Sequence, residues 1–172
     1  MGGCVGIGNI HPASEFNIMN DPDAAHIVFS CPNIPRLVMV PIELTHTVCV
    51  TPQISERIRS LATPFASVLD HLLHFFATTY KQVFQFDYPP LHDPCAVAYV
   101  ANRDLFEEEL MHVDIERMSE HCQGRTVCDV FDRLRKEKNC AVVLKLKTID
   151  EFWNMMIDAI KIANEKSPMN KN

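Results

Sequence analysis

No C-x-x-C pair occurs in the 172 residues, and the cysteines, at 4, 31, 49, 95, 122, 128 and 140, are odd in number. A zinc ribbon or a disulfide scaffold is therefore not expected; free buried thiols in a reducing, cytoplasmic setting fit better. Basic side chains are in the minority, 16 Lys and Arg against 22 Asp and Glu, with a formal net charge of -6. They form no stripe, which argues against a nucleic-acid partner. No run reaches the roughly 18 apolar residues of a membrane span, so no membrane partner is expected. The start lacks a charged segment followed by a long apolar run, and no signal peptide is expected. Internal repeats and low-complexity linkers are absent. Glycine is scarce, with 5 in all, and Gly6-Ile7-Gly8 does not extend to a dinucleotide loop, because the third glycine of G-x-G-x-x-G would fall at His11. The hydrophobic content of 47% argues against disorder and gives a chain of this length a real core.

The elements follow from local chemistry. Asp21-Pro22-Asp23 opens a helix to about Phe29, with Asp21 as cap and Pro22 at the first helical position. Arg36-Leu37-Val38-Met39-Val40 reads as a buried parallel strand. Thr51-Pro52 starts a short helix to about Leu61, and Thr63-Pro64 starts one long helix to about Phe84. The long helix carries an apolar stripe of Phe65, Val68, Leu69, Leu72, Leu73, Phe75 and Phe76. Its His71 and His74 read as surface residues, since no third metal ligand accompanies them. Asp93 is expected to cap a helix beginning at Pro94. Strands are expected over Leu110–Met118, Gly124–Val130, paired with the first, and Cys140–Leu146. A last helix, Ile149 to Ala163, carries a Thr148/Glu151 capping box and a face of Phe152, Met155, Met156, Ala159, Ile160 and Ala163. Residues 165–172 read as a polar tail. The glycine-rich opening, with no element before it, is expected to begin part-way through a larger fold.

Two stretches carry polar groups without helical or strand period. Gly8-Asn9-Ile10-His11-Pro12-Ala13-Ser14-Glu15-Phe16-Asn17-Ile18 sets Asn9, Glu15 and Asn17 on one stiff loop, a donor and acceptor set suited to a hydroxyl-rich ligand. A polar turn with capping asparagines is the simpler alternative. Pro89-Pro90-Leu91-His92-Asp93-Pro94 holds a histidine beside a carboxylate at a helix start, an acid and metal-ligand pair by residue type. Here too, a capping aspartate alone would account for the pattern. Thr45 and His46 follow a strand end, where ligands bind in open α/β sheets, although a strand-to-helix connector explains them equally.

Read together, these pieces resemble the inosine-uridine-preferring nucleoside hydrolase family. The resemblance rests on Met1-Gly2-Gly3, Gly8-Asn9 through Pro12-Ala13-Ser14-Glu15-Phe16-Asn17, Asp21-Pro22-Asp23-Ala24-Ala25, Val40-Pro41-Ile42-Glu43-Leu44-Thr45-His46, Pro90-Leu91-His92-Asp93-Pro94 and Gly124-Arg125-Thr126-Val127, in that order. It implies an α/β fold, the C-terminal portion of a Rossmann-like nucleoside hydrolase domain over residues 1–164, with a mixed sheet flanked by helices. It implies hydrolysis of the N-glycosidic bond of ribonucleosides to base and ribose. The positions of Asn9, Glu15 and Asn17 would hold the ribose hydroxyls, with Met1 lining the same pocket. His92 would face the base and protonate it, and Asp93 would be a calcium ligand.

The family's D-x-D-x-x-x-D-D motif, which supplies further Ca2+ ligands and the general base, does not occur in this sequence, nor does its G-P-L-T-N segment. One carboxylate is a poor cage for an ion that takes about 6–8 oxygens. The chain by itself is therefore expected to be inactive or very weak. The alternative is a non-catalytic derivative that binds a nucleoside or ribose, or a partner. A homo-oligomer or pairing with a full-length subunit are the implied assemblies.

Overall fold

The computed structural model describes residues 1–171. Along the chain come helices α1 (Phe16–Asn20) and α2 (Pro22–Phe29), strand β1 (Val38–Met39), and helices α3 (Ile42–Thr45), α4 (Pro52–Arg59), α5 (Pro64–His74), α6 (Ala77–Phe84) and α7 (Asp93–Ala101). A 3-10 turn, Arg103–Leu105, leads into β2 (Phe106–Met111), β3 (Val113–Ile115), β4 (Thr126–Cys128) and β5 (Cys140–Leu146). Helix α8 (Ile149–Lys166) and a 3-10 turn, Pro168–Asn170, complete the described chain. None of these helices is long and apolar enough to cross a membrane.

The chain forms two compact units. The first takes Met1–Thr47 and His92–Lys147; the second takes Val48–Leu91 and the residues from Thr148 onward. The first unit holds a mixed sheet in the order β1-β5-β2, with β1 parallel and β2 antiparallel to β5. β5 is central, and Cys140, Ala141, Val142 and Val143 are all buried, as a strand covered on both faces requires. β3 and β4 pair antiparallel, Val113 opposite Cys128 and Ile115 opposite Thr126. Val113 and Ile115 point inward and Asp114 outward, the expected alternation. A core of Phe29, Met39, Met111, Val113, Ile115, Cys140 and Val142 ties α2 to both sheets. The mixed α/β architecture expected from the sequence is the one observed.

Capping chemistry sets several helix starts. Asp21 accepts from the Ala24 N–H at 2.9 Å, and Pro22 follows it at the first helical position. Thr51 and Thr63 cap α4 and α5 in the same way. Other expectations fail. Asp93 is the first residue of α7 rather than its cap; His92 holds the cap position, and no side-chain cap bond forms there. Thr148 also makes no side-chain cap bond, so the capping box is not realised.

The helix expected from Pro64 to Phe84 is two helices, because the chain breaks at Phe75–Phe76. Its apolar stripe does not become core: Leu72 is 63% and Phe75 73% exposed, while Ala66 and Asp70 are buried. Helical spacing marks a face but does not say what covers it. In α8 the buried face is Phe152, Trp153, Ile157 and Ile160, and Ala159 and Ala163 are exposed. Ile157 lies four positions from Trp153 and three from Ile160, so these bulkier side chains share one face and take the burial instead. α8 also runs to Lys166, beyond the expected Ala163, and Asn170 folds back onto it, donating to the Asn164 carbonyl at 2.7 Å.

Candidate functional site

The opening residues lie along the sheet. Gly2 N–H donates to the Val40 carbonyl at 3.2 Å and Ile42 N–H to the Gly3 carbonyl at 3.0 Å, so Gly2 and Gly3 run beside the chain leaving β1. Gly3 has φ +75°, and a Cβ there would meet Met39 Sδ at 2.6 Å and Thr126 Cγ2 at 2.9 Å. Only glycine fits this backbone at this approach. Thr126 on β4 anchors the next residue twice: its Oγ1 accepts from Cys4 N–H at 2.9 Å and donates to the Cys4 carbonyl at 2.5 Å.

Glu15 organises the polar stretch. It is 2% exposed. Its Oε2 accepts from Gly3 N–H at 2.9 Å and its Oε1 from Asn17 N–H at 3.0 Å. The second bond makes Glu15 the N-cap of α1, a short helix where a stiff loop is expected from the aperiodic polar groups. Asn17, exposed at the start of that helix, donates through Nδ2 to the Met1 carbonyl at 3.2 Å and reaches Met1 Sδ at 3.4 Å. Met1, Glu15 and Asn17 are thus brought together.

Asn9 has a local duty. Its Oδ1 accepts from Ile10 N–H at 2.7 Å and Phe16 N–H at 2.9 Å, closing the turn against the start of α1. The turn is tight, with Gly8 N–H on the Pro12 carbonyl and Asn9 N–H on the Ser14 carbonyl, each at 3.1 Å. The amide oxygen of Asn9 therefore behaves as the capping asparagine of the simpler alternative.

Glu43, on α3, is a further functional residue that no motif in the sequence marks. Its Oε1 accepts from the N–H groups of Val5, Gly6 and Ile7 at 2.9, 2.7 and 3.3 Å. A carboxylate in a ring of backbone N–H groups holds this loop as a bound anion would. Its Oε2 is buried and has no hydrogen-bond partner among the described residues. The isolated Glu in Pro41-Ile42-Glu43-Leu44, surrounded by buried apolar neighbours, was the available signal.

On the other side of α3, Thr45 Oγ1 lies 2.8 Å from His92 Nδ1 and 3.1 Å from the Ile42 carbonyl oxygen. The His46 and His92 rings meet edge to face, centroids 5.6 Å apart at 63°. Burial lowers the His46 pKa to about 4, with His92 adding to the depression and Glu43 opposing it. Burial also pushes the His92 ring down, against the pull of Asp93. Burial, with Asp93 adding to it, pushes the thiol of Cys95 in the first turn of α7 up to about 12. Asp93 itself is exposed.

Calcium demands a cluster of oxygens. Among the described residues no group of three or more His, Cys, Asp or Glu side chains could hold a metal ion. Asp93 supplies a single carboxylate, and Glu15 and Glu43 have oxygens committed to backbone N–H groups. The described residues do not make a calcium cage.

The family described as inosine-uridine preferring nucleoside hydrolase matches residues 1–154. A Dictyostelium discoideum protein named "Probable ribonucleoside hydrolase" is 44% identical over 166 residues, covering 93% of this chain and 48% of the relative. The Leishmania major inosine-uridine preferring nucleoside hydrolase is 38% identical over 162 residues, covering 94% and 50%. The chain spans about half the length of the curated relatives it matches. Among solved structures, the purine-preferring ribonucleoside hydrolase of Gardnerella vaginalis superposes with a TM-score of 0.83 at 25% identity, over 97% of this chain and 52% of that one.

Proposed function

This chain belongs to the inosine-uridine preferring nucleoside hydrolase family, and we propose that it carries the sugar-holding and leaving-group side of a site that hydrolyses the N-glycosidic bond of a ribonucleoside. In this reading Asn17, Glu15 and Asn9, with Met1 beside them, face the ribose. His92 gives a hydrogen bond or proton to the departing base, and Asp93 contributes one ligand to the calcium site. The observation that carries the reading is the Glu15 network, which joins Gly3, Asn17 and Met1 into one polar cluster before any ligand arrives. Preorganised donors and acceptors suit a sugar that becomes oxocarbenium-like as its bond to the base breaks.

The carboxylates that would activate water in the family's aspartate motif are not in this sequence. The polypeptide alone is therefore inactive or very weak. Ribose release from inosine or uridine with calcium present tests this, and robust turnover by this chain alone overturns it. The seven free thiols accord with a reducing compartment, and a cytoplasmic location is part of the proposal.

A second reading, a non-catalytic protein that binds a nucleoside or ribose or pairs with a full-length subunit, is favoured by the Glu15 cluster being assembled entirely from this chain's own residues. Calorimetry with ribose and inosine decides it: no heat and no thermal shift would count against binding.

A further inference from the structure

We propose that Thr45 is a positioning residue for His92: its hydroxyl donates to His92 Nδ1 and holds the neutral ring in the Nε2–H tautomer. This deepens the reading above, in which His92 serves the leaving group, and it rests on that reading for its catalytic meaning. The structural part stands on geometry alone.

Thr45 Oγ1 has one proton and two neighbours that could accept it, His92 Nδ1 at 2.8 Å and the Ile42 carbonyl at 3.1 Å. If the proton goes to Ile42, the ring must donate through Nδ1–H and carries a lone pair on Nε2. If it goes to the ring, Nδ1 accepts and Nε2 carries the hydrogen. Two observations and one chemical fact select the second assignment. The Ile42 carbonyl already accepts the His46 N–H at 2.9 Å, so it does not depend on the hydroxyl. The contact to the ring is the shorter of the two. An imidazole nitrogen is also a more basic acceptor than an amide carbonyl.

The arrangement is rigid. Thr45 is fully buried, so water does not compete for its hydroxyl, and its branched side chain has few rotamers. The His46 ring also packs edge to face against His92 and restricts its rotation. The consequence is chemical. A neutral ring in this tautomer offers an N–H to an acceptor atom of the leaving base without first taking up a proton. The opposite tautomer would present a lone pair and repel it. Which nitrogen bears the hydrogen is thus set by a neighbour's hydroxyl, the usual means by which proteins fix histidine tautomers.

The test is a long-range 15N–1H correlation spectrum of the full chain labelled at histidine, at a mildly alkaline pH where the ring is neutral, with His92→Gln to assign the signal. The wild type should show a pyrrole-like Nε2 and a pyridine-like Nδ1. The preference should be roughly tenfold, the scale of one hydrogen bond. Thr45→Ser keeps the hydroxyl and should keep the pattern. Thr45→Val removes it and should give a mixed or reversed pattern. A pyrrole-like Nδ1 in the wild type overturns the proposal, as does an unchanged pattern in folded Thr45→Val or a lost pattern in folded Thr45→Ser. Should Thr45→Val not fold, the wild-type and serine spectra still decide. None of these readouts needs substrate, so failure to bind or hydrolyse a nucleoside leaves the tautomer result standing.

Discussion

Glu15 Oε2 and the Gly3 backbone N–H lie 2.9 Å apart, a buried carboxylate bonded to a peptide group twelve positions earlier in the chain. The same carboxylate caps α1 through Asn17 N–H. One side chain therefore fixes both the path of the first residues along β1 and the start of the helix that presents Asn17.

Glu15→Gln should be markedly destabilising although it is nearly isosteric. The amide has one oxygen for two N–H donors, and its NH2 group would face the other donor. Leaving a buried donor unsatisfied costs about 1–3 kcal/mol. Urea unfolding should show a lower midpoint with an unchanged slope. An unchanged midpoint would mean the network is not formed in solution.

Gly8→Ala and Gly6→Ala should differ sharply. A Cβ at Gly8 would fall 2.1 Å from the Ser14 carbonyl oxygen and 2.2 Å from that of His11, both backbone atoms of its own turn. The turn must open, at a cost of about 1–3 kcal/mol, the scale of overpacking. At Gly6 the nearest atom is Glu43 Oε1 at 3.7 Å, and alanine fits. Thermal unfolding of the two variants side by side checks the contrast, and equal midpoints would refute it.

Much of the first unit was legible because its signals are local. The Asp21-Pro22 cap, the apolar run at Cys140–Leu146 and the alternation at Val113–Ile115 each need only neighbouring residues to read. What was not legible depends on partners far along the chain. Glu15 looked like a loop residue because its cap bond to Asn17 is local but its burial comes from Gly3. Glu43 holds a loop 36 to 38 positions away. Thr45 and His92 are separated by 47 positions, and no periodicity marks their meeting. The Phe75–Phe76 break within apolar residues carries no proline or glycine to announce it.

Glu108 predicts an acid sensitivity. Burial pushes its carboxyl up, but the Tyr99 hydroxyl and the guanidinium groups of Arg36 and Arg103 outweigh this and hold it at about 2. Its folded pKa lies below the unfolded value near 4.5. The contribution is therefore fully present above that value and is lost as pH falls from about 4.5 toward 2. Screening at this accessible cluster limits it to on the order of 1 kcal/mol. Tyr99→Phe should lower the unfolding midpoint by a constant amount above about pH 4.5 and flatten its pH dependence between about 4.5 and 2. A pH dependence identical to wild type would rule the cluster out as its source.

Asn17 separates recognition from folding. Its side chain is exposed, and its amide bonds only the Met1 carbonyl and sulfur among the contacts described. Asn17→Ala should therefore shift stability by no more than about 0.5 kcal/mol, as exposed substitutions do. If the amide meets a ribose hydroxyl, the same change removes a hydrogen bond worth about 1 kcal/mol, and the affinity for ribose should fall about fivefold. Glu15→Gln is the matching control, because it should lose stability and binding together. Calorimetry and thermal unfolding on the same samples separate the outcomes: unchanged ribose affinity in a fully folded Asn17→Ala protein would remove Asn17 from the sugar site, whatever the fate of His92.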